Sequence, residues 1–169
     1  HKIRKIDPRG HVSTLAGSSE GFADGPGAEA KFNRPTDIVV DQEFNVYVAD
    51  VENHRIRKIT PNGTVTTLAG NVEGLKDGVL ADAMFNKPTG LALDTKGNMY
   101  VADLGNDRIR KITVDGKVST LAGGGTVKEG TSSGEDAVFA APFGLVTDAQ
   151  FNVYVMDTQN NRIRKITQE

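Results

Sequence analysis

Cysteine is absent from the 169-residue chain, which excludes disulfides, thiolate metal sites and a cysteine nucleophile and leaves the compartment open. Tryptophan is absent as well, and aromatics are only 6% of residues, a thin supply for a large core. Neither sign of charge is in excess. Against 20 Lys and Arg stand 22 Asp and Glu, a formal net charge of -2, so no overall field would gather nucleic acid or an anionic membrane. No apolar run approaches the roughly 20 residues of a membrane span, and no leader peptide is visible. The pattern is already under way at His1, so a trimmed fragment is one expectation. What is plentiful is glycine, 19 residues, which suits many short strands joined by tight turns.

The ordering principle is a repeat. HRIRKITPNGTVTTLAG (54–70) recurs as HKIRKIDPRGHVSTLAG (1–17) and DRIRKITVDGKVSTLAG (107–123), and begins again as NRIRKITQE (161–169). Between these copies lie FNRPTDIVVDQEFNVYVAD (32–50), FNKPTGLALDTKGNMYVAD (85–103) and FAAPFGLVTDAQFNVYVMD (139–157). Phe32 to Phe85 is 53 residues and Phe85 to Phe139 is 54. That period is close to the roughly 40–50 residues of a four-stranded propeller blade.

Each unit reads as four strands. The first follows Pro35, Pro88 or Pro142, which fix the chain entry. A turn leads to the second (VYVAD, MYVAD), a link ending in Asn53, Asn106 or Asn160 to the third (RIRKI), and a hairpin to the fourth. Pro61-Asn62-Gly63 and Val114-Asp115-Gly116 predict tight hairpin turns, since both residues of Asn-Gly and Asp-Gly can take positive φ. The apolar residues do not alternate cleanly, as Ile56 and Ile59 show, which fits sheets covered on both faces. The long Gly-rich connections between units each close on a phenylalanine. They predict a short helical turn with Phe32, Phe85 and Phe139 as anchors.

The signature P-T-G-[IL]-x-x-D … N-x-Y-V-A-D … N-x-R-I-R-K-I resembles the NHL-repeat family, and Asn53-His54-Arg55-Ile56 is the nearest local match to its naming motif. The sequence departs from the family where Asp107 and Asn161 replace the histidine and where Asp37 takes a glycine position. The resemblance implies an all-β fold, a β-propeller of about six blades with the first strand of each blade lining a central channel.

The strands number 13: third and fourth, two full sets, then first to third. This gives one segment of three four-stranded blades, half of a six-bladed ring, with repeats at about 1–53, 54–106 and 107–160 and a redundant third strand in 161–169. Propellers close with ~4–8 blades. The expected partner is therefore a second copy closing the ring by two-fold symmetry, or the remaining blades of a longer chain.

Candidate sites divide by whether the copies agree. Asp41, Asp94 and Asp148, and Asp50, Asp103 and Asp157, recur in every copy, as do Asn53, Asn106 and Asn160. A site used once per molecule should differ between copies, so these read as turn caps and partners for backbone N–H or arginine. The four RIRK-type strands hold twelve of the twenty Lys and Arg. An RNA-binding stripe is conceivable, but no stacking aromatics accompany the cations, and ion pairing between strands and blades is preferred. His1, His11 and His54 are spread over different strands, so no metal centre is expected. Propeller lyases and hydrolases of similar fold hold metals on channel-facing His or carboxylates, and no such set maps onto this sequence. The Gly-rich stretch 122–130 lacks the Gly-Lys-[Ser/Thr] of a phosphate loop. Asn62-Gly63-Thr64 reads as a turn before a glycosylation sequon. Ser13, Ser18, Ser19, Ser119, Ser132 and Ser133 have no histidine of suitable placement.

Function is sought where the copies disagree. Arg34, Asp37, Glu52, Lys87 and Phe143 are the candidate ligand-binding residues. The expectation is a non-catalytic scaffold or binding module for a protein or glycan ligand, needing no cofactor, no nucleic acid and no membrane. The competing expectations are a metal-dependent propeller lyase or lactonase-like hydrolase, and an RNA-binding module.

Overall fold

The computed structural model describes residues 1–126 and 134–168. The fold is all-β. The first sheet is the hairpin β1 (Ile3–Ile6) and β2 (Val12–Ala16). A two-residue strand β3 (Gly25–Pro26) precedes β4 (Pro35–Val40), β5 (Val46–Asp50), β6 (Arg55–Ile59) and β7 (Thr64–Ala69), which form the second sheet in the order β3-β7-β6-β5-β4. The pattern repeats in the third sheet with β8 (Gly78–Val79), β9 (Pro88–Leu93), β10 (Met99–Asp103), β11 (Arg108–Ile112) and β12 (Lys117–Ala122). The fourth sheet holds β13 (Pro142–Thr147), β14 (Val153–Asp157) and β15 (Arg162–Ile166). All pairings within these sheets are antiparallel.

The imperfect alternation has a direct cause. Ile56 packs with Ala49, Phe85, Leu91 and Val118 between the second and third sheets, whereas Ile59 packs with Ile3, Phe32 and Val65 between the first and second. Neighbouring residues of one strand therefore serve two different cores. Phe32, Phe85 and Phe139 are all buried, as the sequence predicts for anchors. Each contributes about 2–3 kcal/mol by leaving water.

Two connections gain detail. The predicted helical turn between units is a single hydrogen-bonded turn, Ala30 N–H to Pro26 C=O at 2.9 Å and Ala83 N–H to Val79 C=O at 3.0 Å. It is preceded by β3 or β8, each a short fifth strand on the outer edge of its sheet. The hairpin turns lie at the expected residues, with one left-handed position each. Gly63 and Gly116 take positive φ, 86° and 82°, but Asn62 and Asp115 do not. The Gly63 amide donates to Thr60 C=O at 2.8 Å and the Thr60 amide to Thr64 C=O at 2.9 Å. This is a three-residue loop with one left-handed residue, so Pro61 can occupy its first position, where φ is negative. Of the serines and the Gly-rich stretch considered above, Ser132, Ser133 and 127–130 lie outside the described residues.

The first strands stand beside one another. The Thr36 hydroxyl donates to Thr89 C=O at 2.8 Å, and the Thr89 hydroxyl to Phe143 C=O at 2.9 Å. β4, β9 and β13 thus form the common seam of the array.

Candidate binding faces

The acidic positions that recur in every copy have distinct local tasks. Asp41 caps the turn between β4 and β5, accepting the Glu43 and Asn45 amides, the Asn45 side chain and the Tyr47 hydroxyl. Asp94 and Asp148 repeat the arrangement with Asn98 and Tyr100, and with Asn152 and Tyr154. Burial works against ionisation of Asp41 and Asp94, yet these donors hold both below the ordinary carboxylate value. Burial and the carboxylate neighbour push the Tyr47 hydroxyl up to about 12.

Asp50 joins three elements: it accepts the Asn33 amide, the Asn53 side chain and the Arg57 guanidinium. Asn53 ends a 3₁₀ turn, Val51–Asn53, and its amide also reaches Gly21 C=O at 2.8 Å. Asp103 with Asn106 and Arg110, and Asp157 with Asn160 and Arg164, repeat the set. Desolvation pushes the Asp50 and Asp103 carboxyls up against these hydrogen bonds.

Arg57 and Arg110 are fully buried. Each also pairs with a carboxylate just before the outer strand, Asp24 or Asp77, which in turn accepts an amide of the fourth strand, Thr67 or Thr120. Arg57 and Arg110 are thereby withdrawn from any phosphate backbone. Nothing in the sequence of Asp24 or Asp77 separates them from other loop acids; only their common offset before Gly25 and Gly78 marks them.

On the face carrying the 3₁₀ turns, three of the five candidate ligand residues meet. Glu52 lies 3.3 Å from Arg34 Nη1 and 4.0 Å from Lys87 Nζ. Arg34 and Lys87 both adopt left-handed backbone, φ 54° and 53°. Their amides donate across the unit boundary to His1 Nδ1 and His54 Nδ1, each at 3.2 Å, while the Ala141 amide donates to Asp107 Oδ1 at 2.7 Å. The variable His54/Asp107 position is therefore an acceptor latching one unit to the next. The other two candidates lie on the seam. Asp37 accepts the Leu91 amide at 2.8 Å, tying β4 to β9, and Phe143 is exposed on β13. Among the described residues no group of three or more His, Cys, Asp or Glu could hold a metal ion.

The opposite face, formed by the turns between first and second strands, carries a cleft of about 630 Å³ between the second and third sheets. Its walls include Val40, Leu68, Leu93 and Met99, and its rim Tyr47 and Gly97. The sequence reading did not foresee it.

The sequence model of the family described as NHL repeat matches residues 32–59 and 85–112. Over 118 residues the chain is 37% identical to NHL repeat-containing protein 2 of Bos taurus, a match covering 66% of this chain and 16% of that protein. Among solved structures, an auxiliary nutrient binding protein from Bacteroides ovatus superposes with a TM-score of 0.76 at 22% identity, covering 99% of this chain and 43% of that one. A streptogramin B lyase superposes with a TM-score of 0.66 at 16% identity, covering 99% and 45%. At these identities the two structures share the propeller-like fold. This chain spans under half of either. Repeat signature, sheet architecture and relatives agree: the chain belongs to the NHL-repeat family.

Proposed function

We propose that this chain is a non-catalytic NHL propeller segment, three blades of a six-bladed ring, that acts through assembly and then presents its loop face to a protein or glycan. The observation that carries this reading is the uncovered face at each end. Ile163 is 69% exposed, whereas its repeat equivalents Ile56 and Ile109 are fully buried. Met156 is 47% exposed where Ala49 and Ala102 are buried. At the other end Ile6 is 68% exposed against buried Ile59 and Ile112, and Val12 54% against buried Val65 and Val118. Contiguous apolar surface of this kind is an interaction face.

A second copy, or further blades of a longer chain, supplies the missing neighbours. Among the described residues no fourth strand lies beside β15 in the fourth sheet, and β1 with β2 offers a third and fourth. At such a junction β1 and β15 compete for one position, and one of them moves to the edge. The assembled ring presents Arg34, Glu52 and Lys87 on its loop face, with Asp37 and Phe143 nearer the channel.

Sedimentation velocity of the 169-residue chain tests the assembly. A dimer that Ile163→Glu converts to monomer is the expected result. A stable, folded monomer of the unsubstituted chain across the micromolar range would sink the self-assembly arm and leave the longer chain as the source of the missing blades.

A further inference from the structure

Consecutive sheets leave a cleft on the turn face, and the two such clefts between complete first and second strands are built alike but filled differently. Between the third and fourth sheets the Gln168 side chain lies in the cleft. Its Nε2 donates to the Tyr100 hydroxyl at 2.8 Å and to Phe151 C=O at 2.7 Å, and its Oε1 accepts from Lys111 Nζ at 2.8 Å. Three of the four hydrogen-bonding positions of the carboxamide are engaged: two acceptors meet the NH2 and one donor meets the oxygen.

The same three groups recur one unit earlier. Tyr47 stands at the position of Tyr100, Lys58 at that of Lys111, and Gly97 at that of Phe151. Their settings match. Tyr47 donates to Asp41 at 3.0 Å as Tyr100 does to Asp94 at 3.0 Å. Lys58 Nζ lies 5.7 Å from the Tyr47 ring, and Lys111 Nζ 5.5 Å from that of Tyr100. Gly97 and Phe151 share left-handed backbone, φ 86° and 64°, and the same turn hydrogen bond. What differs is the residue equivalent to Gln168, which is Val114: exposed, apolar and unable to hydrogen-bond. The unfilled cleft is the 630 Å³ one described above.

The geometry points to this cleft between the second and third sheets as a binding site for the glutamine side chain of an extended peptide. Because the tyrosine hydroxyl is committed as donor to Asp41, it can only accept from the ligand, and the Gly97 carbonyl likewise only accepts. A carboxylate offers neither proton, so the site selects glutamine over glutamate. Leu68, Leu93 and Met99 receive the methylenes. This site lies on the face opposite Arg34, Glu52 and Lys87, and it uses complete neighbouring sheets, so it stands whether or not the ring closes by self-association.

The test is a titration of the isotope-labelled chain, followed by amide chemical shifts, with acetyl-Ile-Thr-Gln N-methylamide and its glutamate counterpart. Saturable shifts centred on Tyr47, Lys58 and Gly97 are expected with the glutamine peptide. The glutamate peptide should bind about tenfold more weakly or worse, since it leaves two acceptors unpaired. Tyr47→Phe should weaken binding while keeping the fold. Val114→Gln should abolish it by supplying the side chain in cis, and Gln168→Ala should create a second responsive cleft at Tyr100. Equal response to both peptides, or shifts that spare Tyr47 and Gly97 in the unsubstituted chain, would overturn the assignment.

Discussion

The Asp50 carboxylate lies 2.8 Å from the Arg57 guanidinium with both side chains wholly withdrawn from solvent. Arg57 is further held by Asp24 and by the carbonyls of Ala23 and Lys31. Removing Asp50 alone leaves a buried cation under-compensated, at a cost of about 3–5 kcal/mol. Removing both charges in a double variant, Asp50→Ala with Arg57→Leu, should recover part of that loss. Urea unfolding near neutral pH measures both; an Asp50→Ala loss below ~1 kcal/mol would contradict the pairing.

A Cβ placed on Gly90 would collide with Phe143 C=O and sit 3.0 Å from Gly144 Cα. These are backbone atoms of the neighbouring first strand and cannot step aside cheaply. Gly90→Ala should therefore destabilise by about 1–3 kcal/mol, although it touches no polar partner. Calorimetry gives the answer, and a neutral substitution would show that the seam is looser than described.

Acid should loosen the turn face first. Asp94 is held below its ordinary value of 3.8: burial opposes ionisation, but the Asn98 side chain and amide, the Tyr100 hydroxyl and the Lys96 amide outweigh it. Such a group contributes stability above pH 3.8 that is lost as pH falls through its folded-state value. Asp148 shifts the same way, chiefly through the Asn152 side chain. Asp50 and Asp103 shift upward, so their contribution is full below 3.8 and declines as pH rises through their folded-state values. Melting temperature recorded from about pH 5 to about pH 2.5 should fall less steeply for Asp94→Asn than for the unsubstituted chain. Parallel profiles would refute the assignment.

Glu52 sits between Arg34 and Lys87 on an exposed face, and surface pairs of this kind are worth roughly 0–1 kcal/mol. Glu52→Ala should leave stability nearly unchanged while freeing two cations for an acidic partner. A loss beyond ~1 kcal/mol would mark the cluster as structural, because exposed pairs do not carry that much.

Much of this architecture was legible because the repeat compares the chain with itself. The four RIRKI-type segments and their phenylalanine anchors fall where the period puts them, and recurrence separated Asp50 from residues such as Glu52 that vary. The outer strands were hidden for a physical reason. Gly25-Pro26 has the composition of a loop, and its pairing partner, Thr64-Val65, lies 38 or more residues on. The left-handed backbone at Arg34 and Lys87 was equally unreadable, since long β-unbranched cations carry no preference for it. Gln168 gave no signal because a side chain crossing to the preceding sheet leaves no trace in the period. The Pro61-Asn62-Gly63 turn was legible in position, and Pro61 already requires negative φ at the first loop position, which leaves Gly63 as the left-handed residue.

Sheets that share cores only with their immediate neighbours make folding a chain of nearest-neighbour couplings. The second and third sheets are clasped from two sides, the hairpin β1–β2 and the fourth sheet from one. Hydrogen exchange would therefore be slowest in β5, β6, β10 and β11 and quicken toward each end, so the cooperativity of the whole array is set by how firmly its outermost interfaces are closed.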